Sequence, residues 1–213
     1  MQHKSKYLDL RLCDNMELMA QYPDKHFELA ICDPPYGCAW SGLASILSGD
    51  TEKSIRFEAK AKEWDVAPNK EYFKELERVS RNRIIWGYNY LTQHLGNSNN
   101  LIIWDKKITG LQYLSRFEIA YCSFNNSVIK QIPSIKLDKF HPTQKPVALY
   151  KWLLDKYAKA GDKILDTHLG SGSIAIACHD YKYHLTACEL DSDYFAAMQT
   201  RVENHLKQTT ILF

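Results

Sequence analysis

The chain has 213 residues, 45% hydrophobic and 24% charged, with a formal net charge of +2, which suits one α/β domain with a real core. No apolar run approaches the ~20 residues of a membrane span, and no signal-like run follows Met1-Gln2-His3-Lys4-Ser5-Lys6, so a soluble cytoplasmic protein is expected, without a membrane partner. The six cysteines (Cys13, Cys32, Cys38, Cys122, Cys178, Cys188) form no C-x-x-C pair and no His cluster has zinc spacing. They read as small hydrophobes in a reducing compartment, and no metal is expected.

In chain order, apolar, β-branched or aromatic runs predict strands at 7–12, 27–32, 83–87, 101–104, 117–123, 163–166 and 184–189. Helical patterns lie between them. Asp14 and Asn15 are good capping residues for a helix over 16–21. In 70–79, Tyr72, Phe73, Leu76 and Val79 recur at 3–4 spacing. A helix over 146–158 opens on Pro146 and ends before Gly161, and two more are predicted at 173–181 and 193–206. Strands alternating with helices predict an α/β fold, a mostly parallel sheet with helices on both faces. Ligands bind such sheets at the carboxyl ends of the strands.

Two stretches break the alternation, 37–65 and 125–139. Loops longer than ~12–15 residues are usually functional, and both follow predicted strands, so both are expected at the ligand-binding edge. Between Asn125 and Lys145 stand Lys130, Lys136, Lys139 and Lys145 against the single acid Asp138, which makes this a basic loop.

Three motifs carry chemistry. Asp33-Pro34-Pro35-Tyr36 directly follows a predicted strand. The two prolines stiffen the chain and remove two N–H donors but keep their carbonyls. Asp33 and the Pro34 carbonyl can each accept one N–H of an exocyclic amine, and Tyr36 can stack on a base taken out of its helix. A Pro-Pro turn capped by Asp is the purely structural alternative. The second motif runs Lys163-Ile164-Leu165-Asp166-Thr167-His168-Leu169-Gly170-Ser171-Gly172-Ser173. Its glycines allow a ligand close to the backbone, and Glu189, 17 residues beyond Gly172, can accept from ribose hydroxyls. Gly170-x-Gly172-x-x-Ala175 also fits a dinucleotide fingerprint, which leaves a nicotinamide cofactor open. The third, His141-Pro142-Thr143-Gln144-Lys145-Pro146, leads into a helix N-terminus able to hold a carboxylate.

Together and in this order, the motifs resemble the β group of amino-methylating DNA methyltransferases, in which the catalytic motif precedes the cofactor motif. The resemblance implies a Rossmann-like fold, S-adenosyl-L-methionine as cofactor and DNA as partner. Asp33, Pro34, Pro35 and Tyr36 match the catalytic motif. Asp14, Asn15, His141, Thr143, Gln144, Lys145, Asp166, His168, Gly170, Ser171, Gly172, Glu189 and Leu190 fall on the cofactor-binding segments. Asp33 at the head of the motif, where N4-cytosine members usually have Ser, implies adenine N6 as the target. The chain departs from the family at Thr167-His168, where a proline and an aromatic are usual, and at Cys13, where glycine is. It also lacks a sizeable target-recognition region, as compact phage and prophage enzymes do. DNA contact is therefore assigned to 37–65 and 125–139, with Lys106, Lys107, Arg116, Lys130, Lys136 and Lys139 as phosphate candidates. A homodimer and a restriction-modification role are compatible with the family. An N4-cytosine enzyme, a NAD-type oxidoreductase and an inactive nucleic-acid-binding module are the alternatives.

Overall fold

The computed structural model describes residues 1–37, 65–106, 115–124, 130–132 and 144–210. Nine strands form one sheet: β1 (Gln2–Lys4), β2 (Leu8–Leu12), β3 (Phe27–Cys32), β4 (Ser80–Trp86), β5 (Leu101–Asp105), β6 (Phe117–Cys122), β7 (Lys130–Ile132), β8 (Lys163–Asp166) and β9 (His184–Glu189). Among the described residues six helices accompany them: α1 (Asn15–Met19), α2 (Lys70–Val79), α3 (Tyr88–Leu95), α4 (Val147–Tyr157), α5 (Ser173–Tyr181) and α6 (Ser192–Thr210).

The strand order is β1-β2-β9-β8-β3-β4-β6-β5-β7. The five central strands, β2, β9, β8, β3 and β4, run parallel. The pairs β1/β2, β4/β6 and β5/β6 are antiparallel, and β5/β7 is parallel. The expected mostly parallel sheet is present, with antiparallel pairings towards both edges. β3 is apolar and buried over nearly its whole length because both its faces are covered. Leu29 and Ile31 join the cluster beneath α4, α5 and α6, whereas Ala30 and Cys32 join the one beneath α1, α2 and α3.

Local chemistry explains the element ends. Asp14 accepts from the Met16 and Glu17 amides at 2.7 and 3.3 Å and starts α1. Asn69 accepts from the Tyr72 amide at 3.1 Å and starts α2. Pro146 is extended and caps α4, so the helix starts one residue later than predicted. At Gly172, which opens α5 with φ +74°, an added Cβ would lie 2.5 Å from Met198 Cγ on α6. Gly172 is therefore required by packing between helices. The open backbone belongs to Gly170, where only the His168 carbonyl oxygen lies within 4 Å of such a Cβ.

Candidate active site

β3 and β8 are adjacent and parallel, with Leu29 opposite Ile164 and Ala30 opposite Leu165. Asp33 and His168 thus leave the same edge of the sheet side by side. Glu189 ends β9, the next strand along, and Cys13 follows β2, the one after that. The catalytic and glycine motifs, far apart in the sequence, are neighbours in space.

At the β3 corner, Asp33 is held on both oxygens. The Tyr36 hydroxyl donates to Oδ1 at 2.6 Å, and the Lys145 ammonium donates to Oδ2 at 2.5 Å. Lys145 also lies 3.0 Å from Glu118 Oε2, and Lys106 donates to Glu118 Oε1 at 3.1 Å. Lys145 is only 4% exposed at its side chain and sits 5.1 Å from the centre of the Trp86 ring. Burial pulls its pKa down, but Asp33 and Glu118 outweigh that and leave it raised. Burial pushes Glu118 up, and Lys145 with Lys106 brings it below the usual carboxylate range. The Tyr36 ring stacks on Tyr90 of α3, centroids 5.3 Å apart and 13° from parallel. Gly87 makes room for that ring: its φ is +78°, and a Cβ there would lie 2.1 Å from Tyr36 Cε1. Burial, with Asp33 alongside, raises the Tyr36 pKa well above its ordinary value, so its hydroxyl keeps its proton to donate.

At the β8 corner, Asp166 Oδ1 accepts from the His168 amide at 2.9 Å. Burial pushes the Asp166 carboxyl up to about 8, and Asp33 and Glu189 add to the rise. Glu189 accepts from the Gly170 amide on Oε2 at 2.8 Å and from the Leu190 and Asp191 amides on Oε1, both at 3.0 Å. Burial nevertheless raises its pKa. Two amides donating to Oε1 and one to Oε2 leave a single lone pair, enough for one further hydroxyl and not for two. Leu190 beside it is 71% exposed. The His168 ring contacts Asn15 Nδ2 through Nε2 at 3.2 Å and Thr167 Oγ1 through Nδ1 at 3.0 Å. With the amide NH2 donating to Nε2, the ring proton sits on Nδ1 and faces Thr167. Burial holds the imidazole neutral, down to about 4. Thr167 in turn meets Tyr72 at 2.7 Å and Cys32 at 3.4 Å, so His168 is anchored into the layer beneath α2.

Other expected site residues fall out variously. Asp14 is engaged as the α1 cap, and the Asn15 amide meets the His168 ring. Pro34 is buried beside Asp33, and Ser171 and Ser173 pair at 3.3 Å, with Arg201 donating to the Ser171 carbonyl. Gln144 is 9% exposed, and its Oε1 has no partner among the described residues. Lys145, expected with the cofactor set, lies on Asp33. Lys106, expected at a phosphate, is turned inward to Glu118 and 13% exposed. Arg116 keeps half its surface in solvent but pairs in two places with Asp105, at 2.9 and 2.8 Å. His141, Thr143, Cys38, Lys107, Lys136, Lys139 and the Lys130 side chain lie outside the described residues. Sequence reading missed Glu118 and Tyr90, whose roles depend on partners far along the chain. Among the described residues no group of His, Cys, Asp or Glu could hold a metal ion, and no helix is long and apolar enough to cross a membrane.

A mostly parallel sheet with a glycine loop and two carboxylates beside an Asp-Pro-Pro-Tyr corner defines a Rossmann-like methyltransferase fold. Solved structures agree. The M1.HpyAVI–SAM complex superposes with a TM-score of 0.63 at 16% identity, covering 91% of this chain and 99% of that one. PvuII DNA methyltransferase, described as cytosine-N4-specific, superposes with a TM-score of 0.60 at 12% identity, covering 94% and 90%. Residues 102–200 match the N6/N4 family model described as DNA methylase. The type II methyltransferase M.HpaI of Haemophilus parainfluenzae is 30% identical over 66 residues, 31% of this chain and 21% of that relative's length.

Proposed function

We propose that the protein transfers the methyl group of S-adenosyl-L-methionine to the exocyclic amine of a DNA base, adenine N6. The single observation that carries this reading is the adjacency of β3 and β8, which sets Asp33 beside the Asp166–Gly172 loop. The buried carboxylates fit the cofactor: Asp166 is pushed up to about 8 and Glu189 is raised, so the corner lacks positive charge that a sulfonium and an ammonium supply. Glu189 has one lone pair for a ribose hydroxyl, Gly170 offers open backbone, and Leu190 offers exposed apolar surface for a purine. When bound, the cofactor supplies a methyl group on a positively charged sulfur, an electrophile that needs no covalent intermediate on the protein.

The protein's own task is to hold the amine. Each oxygen of Asp33 has one partner already, Tyr36 or Lys145, and keeps a lone pair for an incoming N–H. The Pro34 carbonyl is a second acceptor on the same rigid edge. Two N–H bonds accepted from one side turn the nitrogen lone pair towards the other side, where the methyl donor belongs. The gain is in positioning and electrostatics. Adenine is favoured by Asp33 at the head of the motif; the likeness to PvuII keeps cytosine N4 as the second reading. Segments 37–65 and 125–139 serve as DNA contacts on this reading. The Gly37 amide donates to Asp65 Oδ1 at 2.9 Å, so the chain leaves and rejoins the fold at one place beside the catalytic motif.

The test is incubation with unmethylated genomic DNA and S-adenosylmethionine, followed by base-resolved methylation sequencing. N6-methyladenine is the expected product. N4-methylcytosine would move the target base, and no methylation with NAD binding in place of S-adenosylhomocysteine would remove the reading altogether.

A further inference from the structure

The β3 corner contains a buried chain of alternating charge, Asp33–Lys145–Glu118–Lys106, drawn from the β3 tail, the residue before Pro146, β6 and the end of β5. An ammonium has three N–H donors and no acceptor. Lys145 donates to Asp33 Oδ2 at 2.5 Å and to the Tyr36 hydroxyl at 3.4 Å, and forms an ion pair with Glu118 Oε2 at 3.0 Å. The Trp86 ring packs at 5.1 Å. The ammonium is thus turned to the Asp33 corner, although Lys145 lies in the motif that leads into the cofactor helix. A lysine buried to 4% exposure between two carboxylates fixes both of them, and one of the two is Asp33.

We infer that Lys145 is a positioning residue for Asp33, with Glu118 as its anchor, and takes no part in holding the cofactor. This rests on the methyltransferase reading above. Glu118 pairs with the ammonium beside Asp33, and Lys106 balances Glu118, so the four groups together carry no net charge. The Asp33 carboxylate is thereby kept in one rotamer with a lone pair on each oxygen for the target amine.

The experiment compares wild type, Lys145→Met, Glu118→Gln and the double variant. S-adenosylhomocysteine affinity is measured by calorimetry, and turnover on unmethylated DNA at saturating cofactor. Lys145→Met is expected to lower kcat by about 100-fold or more while the S-adenosylhomocysteine Kd stays within about twofold. Glu118→Gln keeps the Lys145–Asp33 pair and is expected to lower kcat by about 3–10-fold, again with Kd unchanged. The double variant removes one charge of each sign, guards against loss of fold in the single lysine variant, and is expected to match it in kcat and Kd. A Kd raised tenfold or more in Lys145→Met or the double variant, with kcat retained, would make Lys145 a cofactor ligand and overturn the proposal. Unchanged kcat and Kd in both would overturn it equally. A wild-type protein that neither binds S-adenosylhomocysteine nor methylates DNA would instead remove the underlying reading, and the proposal with it.

Discussion

The loops that leave β3 and β8 lie side by side yet differ in charge balance. After β3, Asp33 is met by an ammonium and a phenol, and the next carboxylate, Glu118, is met by two lysines. After β8, Asp166 receives a backbone amide, and Glu189 receives three. No lysine or arginine among the described residues forms an ion pair with either. Burial then has opposite outcomes: Glu118 is brought below its usual range, whereas Asp166 is pushed up to about 8. The catalytic corner is electrically complete in the protein alone. On the proposed reading, the corner after β8 is completed by the positive charge of a bound cofactor. The proposed function thus divides preorganised chemistry and ligand capture between two neighbouring strands.

The largest effect tests the complete corner. Asp33→Ala is expected to lower methyl transfer by on the order of 10³-fold or more, with S-adenosylhomocysteine affinity within about twofold by calorimetry. Retained turnover would remove Asp33 from catalysis. A Kd that rises along with the loss would mean the two corners are not separable.

Two glycine substitutions sharpen the division. In Gly87→Ala, φ +78° and a Cβ 2.1 Å from Tyr36 Cε1 force the ring away and break its 2.6 Å bond to Asp33. Left-handed backbone costs an L residue about 1–2 kcal/mol. With the clash added, a loss of about 2–4 kcal/mol is expected in urea melts. Turnover is expected to fall about 10–100-fold. Gly172→Ala, with φ +74° and Met198 Cγ at 2.5 Å, should destabilise by a similar amount, but its injury should appear in cofactor Kd. The same symptom from both variants would contradict the separation.

The incomplete corner predicts a pH dependence. Asp166 holds its proton to about pH 8 in the folded protein and loses it near 3.8 when unfolded. The fold binds more protons across that window, so stability falls as pH rises through it. His168 is held down to about 4 from 6.5 and opposes this trend only below pH 6.5, where the unfolded chain takes up its proton. Between pH 6.5 and 8 Asp166 should therefore remove roughly 1.5–2 kcal/mol of stability. Urea melts of wild type and Asp166→Asn across that range isolate the effect by difference. Parallel curves would show that Asp166 is already ionised and that the corner needs no cation.

Much of this arrangement is legible in the sequence, for a physical reason. β3, β8 and β9 have the predicted bounds because a strand buried on both faces is a continuous apolar run closed by a polar residue. The α2 bounds follow from Asn69 and the spacing of its four buried residues. β1 and β7 carry no such signal: three residues, Gln-His-Lys or Lys-Gln-Ile, become strands only because a neighbour offers its edge. α3 opens on a glycine without a side-chain cap and buries only Leu91, so its pattern is weak. Lys145 reads as part of a cofactor motif because its neighbours do. Its partners, Asp33 at a separation of 112 residues and Glu118 on an antiparallel strand, are fixed by the strand order, which no local pattern encodes.

The smallest expected effect is the cleanest separation of stability from binding. Leu190 is 71% exposed and directly follows Glu189, so the fold alone gains little from it. A Leu190→Ser substitution should change stability by no more than about 0.5 kcal/mol, as for ordinary surface positions. If the cofactor's purine covers this side chain, part of the ~1.5–3 kcal/mol available from burying a leucine appears only on binding. The expected result is a Kd for S-adenosylhomocysteine raised about 3–10-fold, with the urea midpoint unchanged and turnover at saturating cofactor near wild type. An unchanged Kd would move the purine off Leu190. It would also leave Glu189 without the apolar neighbour that makes its one free lone pair selective for a nucleoside.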